Sequence, residues 1–258
     1  MFLAIDIGNT NLTIGVFNES KINFVSRIST DRAKESDEYA VKFDDIFKLY
    51  NINPEEITGC AISSVVPELT DKITSAIGRI TLAKPMVLGP GVKTGMNIKI
   101  DNPAQLGADL LAGCIGAAAL YPLPCIVIDS GTALKVSVVD KNGAFRGCAI
   151  APGVKISLQA LSAGTSMLPN ISLKAPDHAI GTNTLDSMTS GTVFGFASLI
   201  DGLIEKCENE LDEGEAFVVA TGGLAKDLIK SCKRNIEYNG ELILYGLKMI
   251  YEKNYPER

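Results

Sequence analysis

Residues 2–17 read FLAIDIGNTNLTIGVF, and residues 125–140 read CIVIDSGTALKVSVVD. Each is a run of apolar, β-prone residues ending in an acid, Asp6 or Asp129, that passes through a glycine and a threonine into a second β-prone run. Apolar runs of this length, interrupted by glycine and small polar residues, predict β-hairpins. An acid delivered by a strand into a glycine turn, beside a hydroxyl and bare backbone N–H groups, offers what a magnesium-bound polyphosphate requires. Two such hairpins predict a duplicated α/β chain closing on one nucleotide.

Outward from the first hairpin, residues 22–29 complete a three-stranded meander. Residues 36–50 place Tyr39, Val41, Phe43, Ile46, Phe47 and Tyr50 at helical spacing, which predicts a helix with Ser36 as its N-cap. Residues 59–66 form an apolar run suited to a buried parallel strand, followed by a helix near 69–80 and a strand at 85–88. Asn102-Pro103-Ala104-Gln105 then supplies a cap, a first-position proline and a following Gln, predicting a helix that runs to about Leu120. Its Gly107, Ala108, Ala112, Gly113, Gly116, Ala117, Ala118 and Ala119 let another backbone come close. Tight packing between domains or subunits and a plain alanine-rich core helix both remain open.

The second half repeats the scheme, with strands at 125–130, 133–140 and 144–150 and a helix at 154–162 after Pro152-Gly153. A long helix at 187–207 carries Gly191, Gly195 and Gly202, a strand at 216–220 leads into Thr221-Gly222-Gly223, and an amphipathic helix at 241–251 closes the chain. No low-complexity linker separates the halves, so domains are expected at 1–118 and 119–258, packed along a helix-lined cleft.

With 258 residues, 46% of them apolar, the chain can bury a large core. A net charge of −6 argues against a broad nucleic-acid surface, whose footprint is normally basic. The six cysteines lack CxxC spacing and read as reduced core residues. The single histidine, His178, reads as a polar loop residue after Pro176 and leaves little material for a histidine metal cluster or a Ser-His-Asp triad. The chain enters a strand directly, without a leader pattern, and contains no run of 18 apolar residues, so a cytoplasmic protein with no membrane partner is expected.

Three elements carry phosphate chemistry. In the first, Asp6, Gly8, Asn9, Thr10 and Asn11, the acid can hold magnesium directly or through water, and Gly8 permits a tight turn. Asp129, Gly131 and Thr132 form the second. The third is Thr221-Gly222-Gly223, a glycine pair giving the following helix room to face a phosphate or nucleoside. Each alone is an ordinary turn; in this order and separation they point to a nucleotide site. Asp109, near the start of an otherwise apolar helix, is the candidate carboxylate to accept a proton from an attacking hydroxyl.

These residues resemble the superfamily of acetate kinase, sugar kinases, Hsp70 and actin, in which two ribonuclease-H-like domains clasp ATP in an inter-domain cleft. More closely, the chain is similar to the type III pantothenate kinases, which phosphorylate pantothenate to 4'-phosphopantothenate at the start of coenzyme A synthesis. The similarity runs through DIGNTN at 6–11, TDR at 30–32, DEY at 37–39, SSVVP at 63–67, GPGVKTG at 89–95, NP at 102–103, GAD at 107–109, DSGTA at 129–133, APG at 151–153, LP at 168–169, NT at 183–184 and ATGGLA at 220–225. It implies that residues 6–13, Thr13 included, bind ATP phosphates with magnesium, and that Thr132 contacts ATP. It implies Asp109 as general base, Asp129 as ligand of a monovalent cation (K+ or NH4+), Thr184 at pantothenate, and a homodimer.

The chain departs from that pattern mainly on the substrate side. Where the family has Gly-Ala-Asp-Arg, this chain has Gly107-Ala108-Asp109-Leu110, and a leucine cannot engage a carboxylate or phosphate. Ile100 stands where a tyrosine is common, Gly-Thr-Ala-Thr-Thr becomes Gly131-Thr132-Ala133-Leu134-Lys135, and Gly-Lys-Asn-Thr becomes Gly181-Thr182-Asn183-Thr184. Lys135 is either a compensating charge or a surface lysine of an alternating strand. Three functions are open: a pantothenate kinase, a same-fold kinase for another small hydroxylated substrate, and a weakly catalytic nucleotide-binding paralogue with a regulatory role.

Overall fold

The computed structural model describes residues 1–163 and 171–256; the Leu168-Pro169 motif lies outside them. The described residues fall into two compact units. One draws on Met1–Gly95, Asn102–Ala119 and Glu241–Arg258, the other on Met96–Asp101 and Leu120–Gly240.

The first unit is built on strands β1 (Phe2–Ile7), β2 (Asn11–Asn18), β3 (Lys21–Ser29), β4 (Gly59–Ser64) and β5 (Pro85–Val87), in spatial order β3-β2-β1-β4-β5. β1 and β2 form the expected hairpin, and β1, β4 and β5 run parallel. Helices α1 (Ser36–Leu49) and α2 (Pro67–Ile80) lay Tyr39, Phe43, Phe47, Leu69, Ile73 and Ile77 into a core with Leu3, Ile5, Leu12 and Ile14. The predicted cap of α1 shifts by one residue. Glu35 precedes the helix and its N–H donates to Glu38 Oε2 at 2.9 Å, while the Ser36 hydroxyl is drawn away to the Lys72 carbonyl at 3.0 Å.

Helix α3 (Ala108–Leu120) also belongs to the first unit, up to Ala119. It starts later than its Asn-Pro signature predicts. Asn102 Oδ1 accepts from the Ala104 N–H at 3.2 Å, but this caps a single 3-10 turn, Pro103–Gln105, and extended backbone at Leu106 separates the turn from α3. Gly116 of α3 serves packing inside this unit, because it lies against the backbone of helix Leu242–Asn254 at Leu242 and Gly246.

The second unit repeats the design. Strands β6 (Cys125–Ser130), β7 (Ala133–Val139), β8 (Phe145–Pro152), β9 (Phe217–Thr221) and β10 (Glu237–Tyr238) lie in the order β10-β9-β6-β7-β8, the first sheet's order read from the other edge. β1 and β6 alternate burial identically, with four buried residues, a half-buried acid and a buried last residue. Helices α4 (Val154–Ala163), α5 (Thr184–Leu211) and the short α6 (Ala225–Leu228) belong to this unit, and α7 (Leu242–Asn254) to the first. α5 is long and apolar enough to cross a membrane by length and composition alone. Its Ile200 and Ile204 nevertheless pack into the core with Ile126, Val136 and Val218, and Asp201 accepts from the backbone of Lys233 and Arg234, as a core helix's side chains do.

Candidate active site

In the first unit, pairing fixes what stands beside the acid. Asp6 sits opposite Thr13 on β2 and Ser63 on β4, and Thr13 in turn faces Arg27 on β3. Side chains in one such cross-strand row share a face of the sheet. Ser63 is fully buried and its hydroxyl lacks a hydrogen-bond partner among the described residues. Hydroxyl side chains thus flank Asp6 on both neighbouring strands, an oxygen-rich setting that suits a divalent cation.

The turn after Asp6 is held from outside the hairpin. The Gly8 N–H donates to the Asn11 carbonyl at 3.0 Å, closing the turn. The Thr30 hydroxyl donates to the Gly8 carbonyl at 2.6 Å, and the Thr30 N–H to the Thr10 carbonyl at 3.0 Å. Arg32 Nη2 adds a bond to Asn9 Oδ1 at 3.0 Å. Asn9, Thr10 and Asn11 are exposed. Thr30 and Arg32 were visible in the sequence as a motif, but only the return of β3 to the turn shows their role as its clamp.

Asp109 is the second residue of α3, half-buried, with Oδ1 accepting from the Leu110 N–H at 2.8 Å. A carboxylate in the first turn of a helix is favoured by the local N–H groups. Gly107, Ala108 and Leu110 are half-buried around it, and Leu110 adds only apolar surface.

In the second unit, Asp129 stands opposite Lys135 on β7 and Thr221 on β9. Lys135 Nζ lies 3.1 Å from Asp129 Oδ2. Gly131 closes the turn by donating to the Ala133 carbonyl at 3.1 Å, and Thr132 is exposed at its tip. Two glycines outside this turn make it possible. A Cβ on Gly153 would lie 2.4 Å from the Thr132 carbonyl oxygen, and one on Gly222, whose φ is +93°, would lie 2.5 Å from that of Ser130. The third element therefore rests directly on the second. The helix after Gly222 and the exposed Gly223 is shorter than expected, four residues that pass into a 3-10 turn at Ile229–Ser231.

Thr184 opens α5 and is exposed, beside Asn183, whose Oδ1 caps the helix by accepting from the Asp186 N–H at 2.9 Å. Ile100 is half-buried in a segment that joins the second unit through the Ile98–Phe145 bridge. The structure thus gathers Asp6, residues 8–13 and Asp109 in the first unit, and Asp129, Gly131, Thr132, Gly222, Gly223, Thr184 and Ile100 in the second. His178 is exposed in a loop, and burial pushes the Cys125 thiol up to about 12, leaving it no nucleophile. Among the described residues no three His, Cys, Asp or Glu side chains gather to hold a metal ion. Magnesium at Asp6 would therefore take most of its oxygens from phosphates and water, which is its usual preference.

Two sheets of one order, each delivering an acid into a glycine turn, make this an actin-like ATPase and sugar-kinase fold. Solved structures share it over nearly the whole chain. The activator of 2-hydroxyisocaproyl-CoA dehydratase from Clostridium difficile, with bound ADPNP, matches at a TM-score of 0.60 and 11% identity, covering 98% of this chain and 94% of that one. A Campylobacter jejuni protein described as a Baf family transcriptional activator matches at 0.61 and 19% identity, with 98% of each chain covered. The model of the type III pantothenate kinase family matches residues 2–206. A type III pantothenate kinase of Exiguobacterium sp. is 38% identical over 254 residues, 98% of this chain and 99% of the relative. The chain belongs to the type III pantothenate kinase family.

Proposed function

We propose that the chain transfers the γ-phosphoryl group of ATP to the primary hydroxyl of pantothenate, giving 4'-phosphopantothenate and ADP for coenzyme A synthesis. Family membership along 98% of the chain carries this reading. In the transfer the hydroxyl oxygen bonds to the γ-phosphorus, the bond from that phosphorus to the β–γ bridging oxygen breaks, and the hydroxyl proton passes to Asp109. Bound magnesium supplies charge neutralisation on the phosphate oxygens. Asp6 holds the metal's place. The clamped turn of Gly8, Asn9, Thr10, Asn11 and Thr13 presents phosphate donors. Thr132, Gly131, Gly222 and Gly223 serve the nucleotide from the second unit, and Thr184 and Ile100 the acceptor. Phosphoryl transfer asks the protein mainly for positioning and charge stabilisation, and these elements supply both.

The half-buried Leu110 favours a second reading, a same-fold kinase whose acceptor is another small alcohol in a more apolar pocket. The reading includes a cytoplasmic homodimer. Supporting self-association, Gly191, Gly195 and Gly202 of α5 have open space over them, and Leu199 between them is exposed.

ADP release coupled to NADH oxidation, with magnesium, ATP and pantothenate, tests the function, with mass detection of the product. Turnover with pantothenate, falling by about 10²-fold or more in Asp109→Asn, is the expected result for loss of a general base. Turnover only with other alcohols selects the second reading, and nucleotide binding without turnover on any acceptor rejects both. Analytical ultracentrifugation showing only monomer would refute the dimer.

A further inference from the structure

The two halves treat their turn acids differently. Across the first sheet the row reads Ser63, Asp6, Thr13, Arg27; across the second it reads Thr221, Asp129, Lys135, Ile150. Thr13 and Lys135 hold the same place beside equivalent acids, one a neutral hydroxyl, the other an ammonium. Lys135 Nζ is 3.1 Å from Asp129 Oδ2, and the two side chains are only 18% and 19% exposed. At that distance and burial the pair is a charge-assisted hydrogen bond between strands, not the solvated lysine of an alternating surface strand. Asp129 is also the acid at which a monovalent cation is implied, and the residues present do not fit one. The ammonium already stands against a carboxylate oxygen, carries the same unit charge and is tethered, so a free ion competes against a high effective concentration. Any ion that came alongside would meet like-charge repulsion that the shielded site screens poorly.

We propose that Lys135 is a built-in substitute for the monovalent cation, so that the second turn works at full rate without K+ or NH4+. The inference rests on the kinase reading for its rate measurements but not for its binding measurement.

The test holds ionic strength constant and compares potassium, ammonium and tetramethylammonium chloride. With magnesium, ATP and pantothenate, the wild-type rate changes by less than about twofold among the three salts. Lys135→Thr, which copies the first turn's Thr13, loses rate in tetramethylammonium and regains it in potassium by a factor on the order of ten, the range of ordinary ligand coupling. Lys135→Arg, which keeps the charge, stays independent of salt identity. The second measurement is the melting temperature with magnesium and a non-hydrolysable ATP analogue. Wild type melts at the same temperature in potassium and tetramethylammonium, whereas Lys135→Thr is raised by potassium. A wild-type rate or melting temperature that climbs saturably with potassium overturns the proposal, even if the variants fail to fold. Absence of turnover in every salt would instead reject the kinase reading, and the melting comparison would still decide the role of Lys135.

Discussion

The crossing of α3 and α7 sets up the sharpest mutational test, because it couples stability to the placement of Asp109. A Cβ built on Gly246 would lie 1.8 Å from the Ala112 carbonyl oxygen and 2.6 Å from its carbon, and one on Gly116 would lie 2.3 Å from the Leu242 carbonyl oxygen. A carbon–oxygen contact needs about 3.3 Å, so Gly246→Ala forces the helices apart by roughly 1.5 Å. Neither obstructing atom is the end of a flexible side chain, so the strain falls at the upper end of overpacking, about 3 kcal/mol. Better helix propensity returns about 1 kcal/mol. The net cost is about 2 kcal/mol, or a fall in Tm of roughly 4–8 °C. Because α3 carries Asp109 three residues before Ala112, a shift of about 1 Å also lowers turnover by up to 10²-fold. Gly78→Ala is the matched control: nothing lies within 4 Å of its Cβ position on α2. It should stabilise by about 0.5–1 kcal/mol, and opposite signs for two Gly→Ala changes in helices separate contact from propensity. Calorimetry on both variants and the wild type decides the matter. A Gly246→Ala protein that melts with or above wild type would refute the backbone contact.

Thr30→Val keeps the side chain's volume but removes the donor to the Gly8 carbonyl. The loss should cost about 1 kcal/mol and raise the KM for ATP several-fold; an unchanged KM would mean that the clamp does not hold a nucleotide turn. Asp140 is nearly fully buried, and burial alone would push its carboxyl up. The N–H groups of Ala144 and Asn142 together with Lys99 outweigh burial and hold it below the ordinary carboxylate range. A depressed folded value means stability that is complete above about pH 4 and lost as the pH falls through that folded value. Asp140→Asn should therefore be less stable than wild type at pH 7 but show a flatter acid limb in urea titrations from pH 5 to 2, whereas parallel limbs would remove Asp140 from the account.

The duplicated sheets were legible because each apolar run ends at the residue where chemistry begins, and the period of the pattern identifies the strands. Helix starts were less legible where one signature serves two structures. Asn102-Pro103-Ala104-Gln105 caps a 3-10 turn as readily as an α-helix, and the extended Leu106 decides between them. Ser36 is a good cap residue in isolation, but its hydroxyl finds the distant Lys72 carbonyl, a partner set by the packing of α2 on α1. The same limit hid the clamp at Thr30, the small-residue contact between α3 and α7, and the meaning of Lys135. That meaning depends on the register of β6 with β7, and shifting the register by one residue would turn the lysine to the other face.

That register also sets the charge beside the second acid. In the first turn the positions beside Asp6 are held by the hydroxyl residues Thr13 and Ser63. Asp129 is offset within the chain by Lys135 at 3.1 Å, so the second turn brings no net negative charge and asks for no further ion. The two turns are copies in backbone and burial but not in charge. The difference lies in the single side chain opposite each acid, Thr13 in one turn and Lys135 in the other.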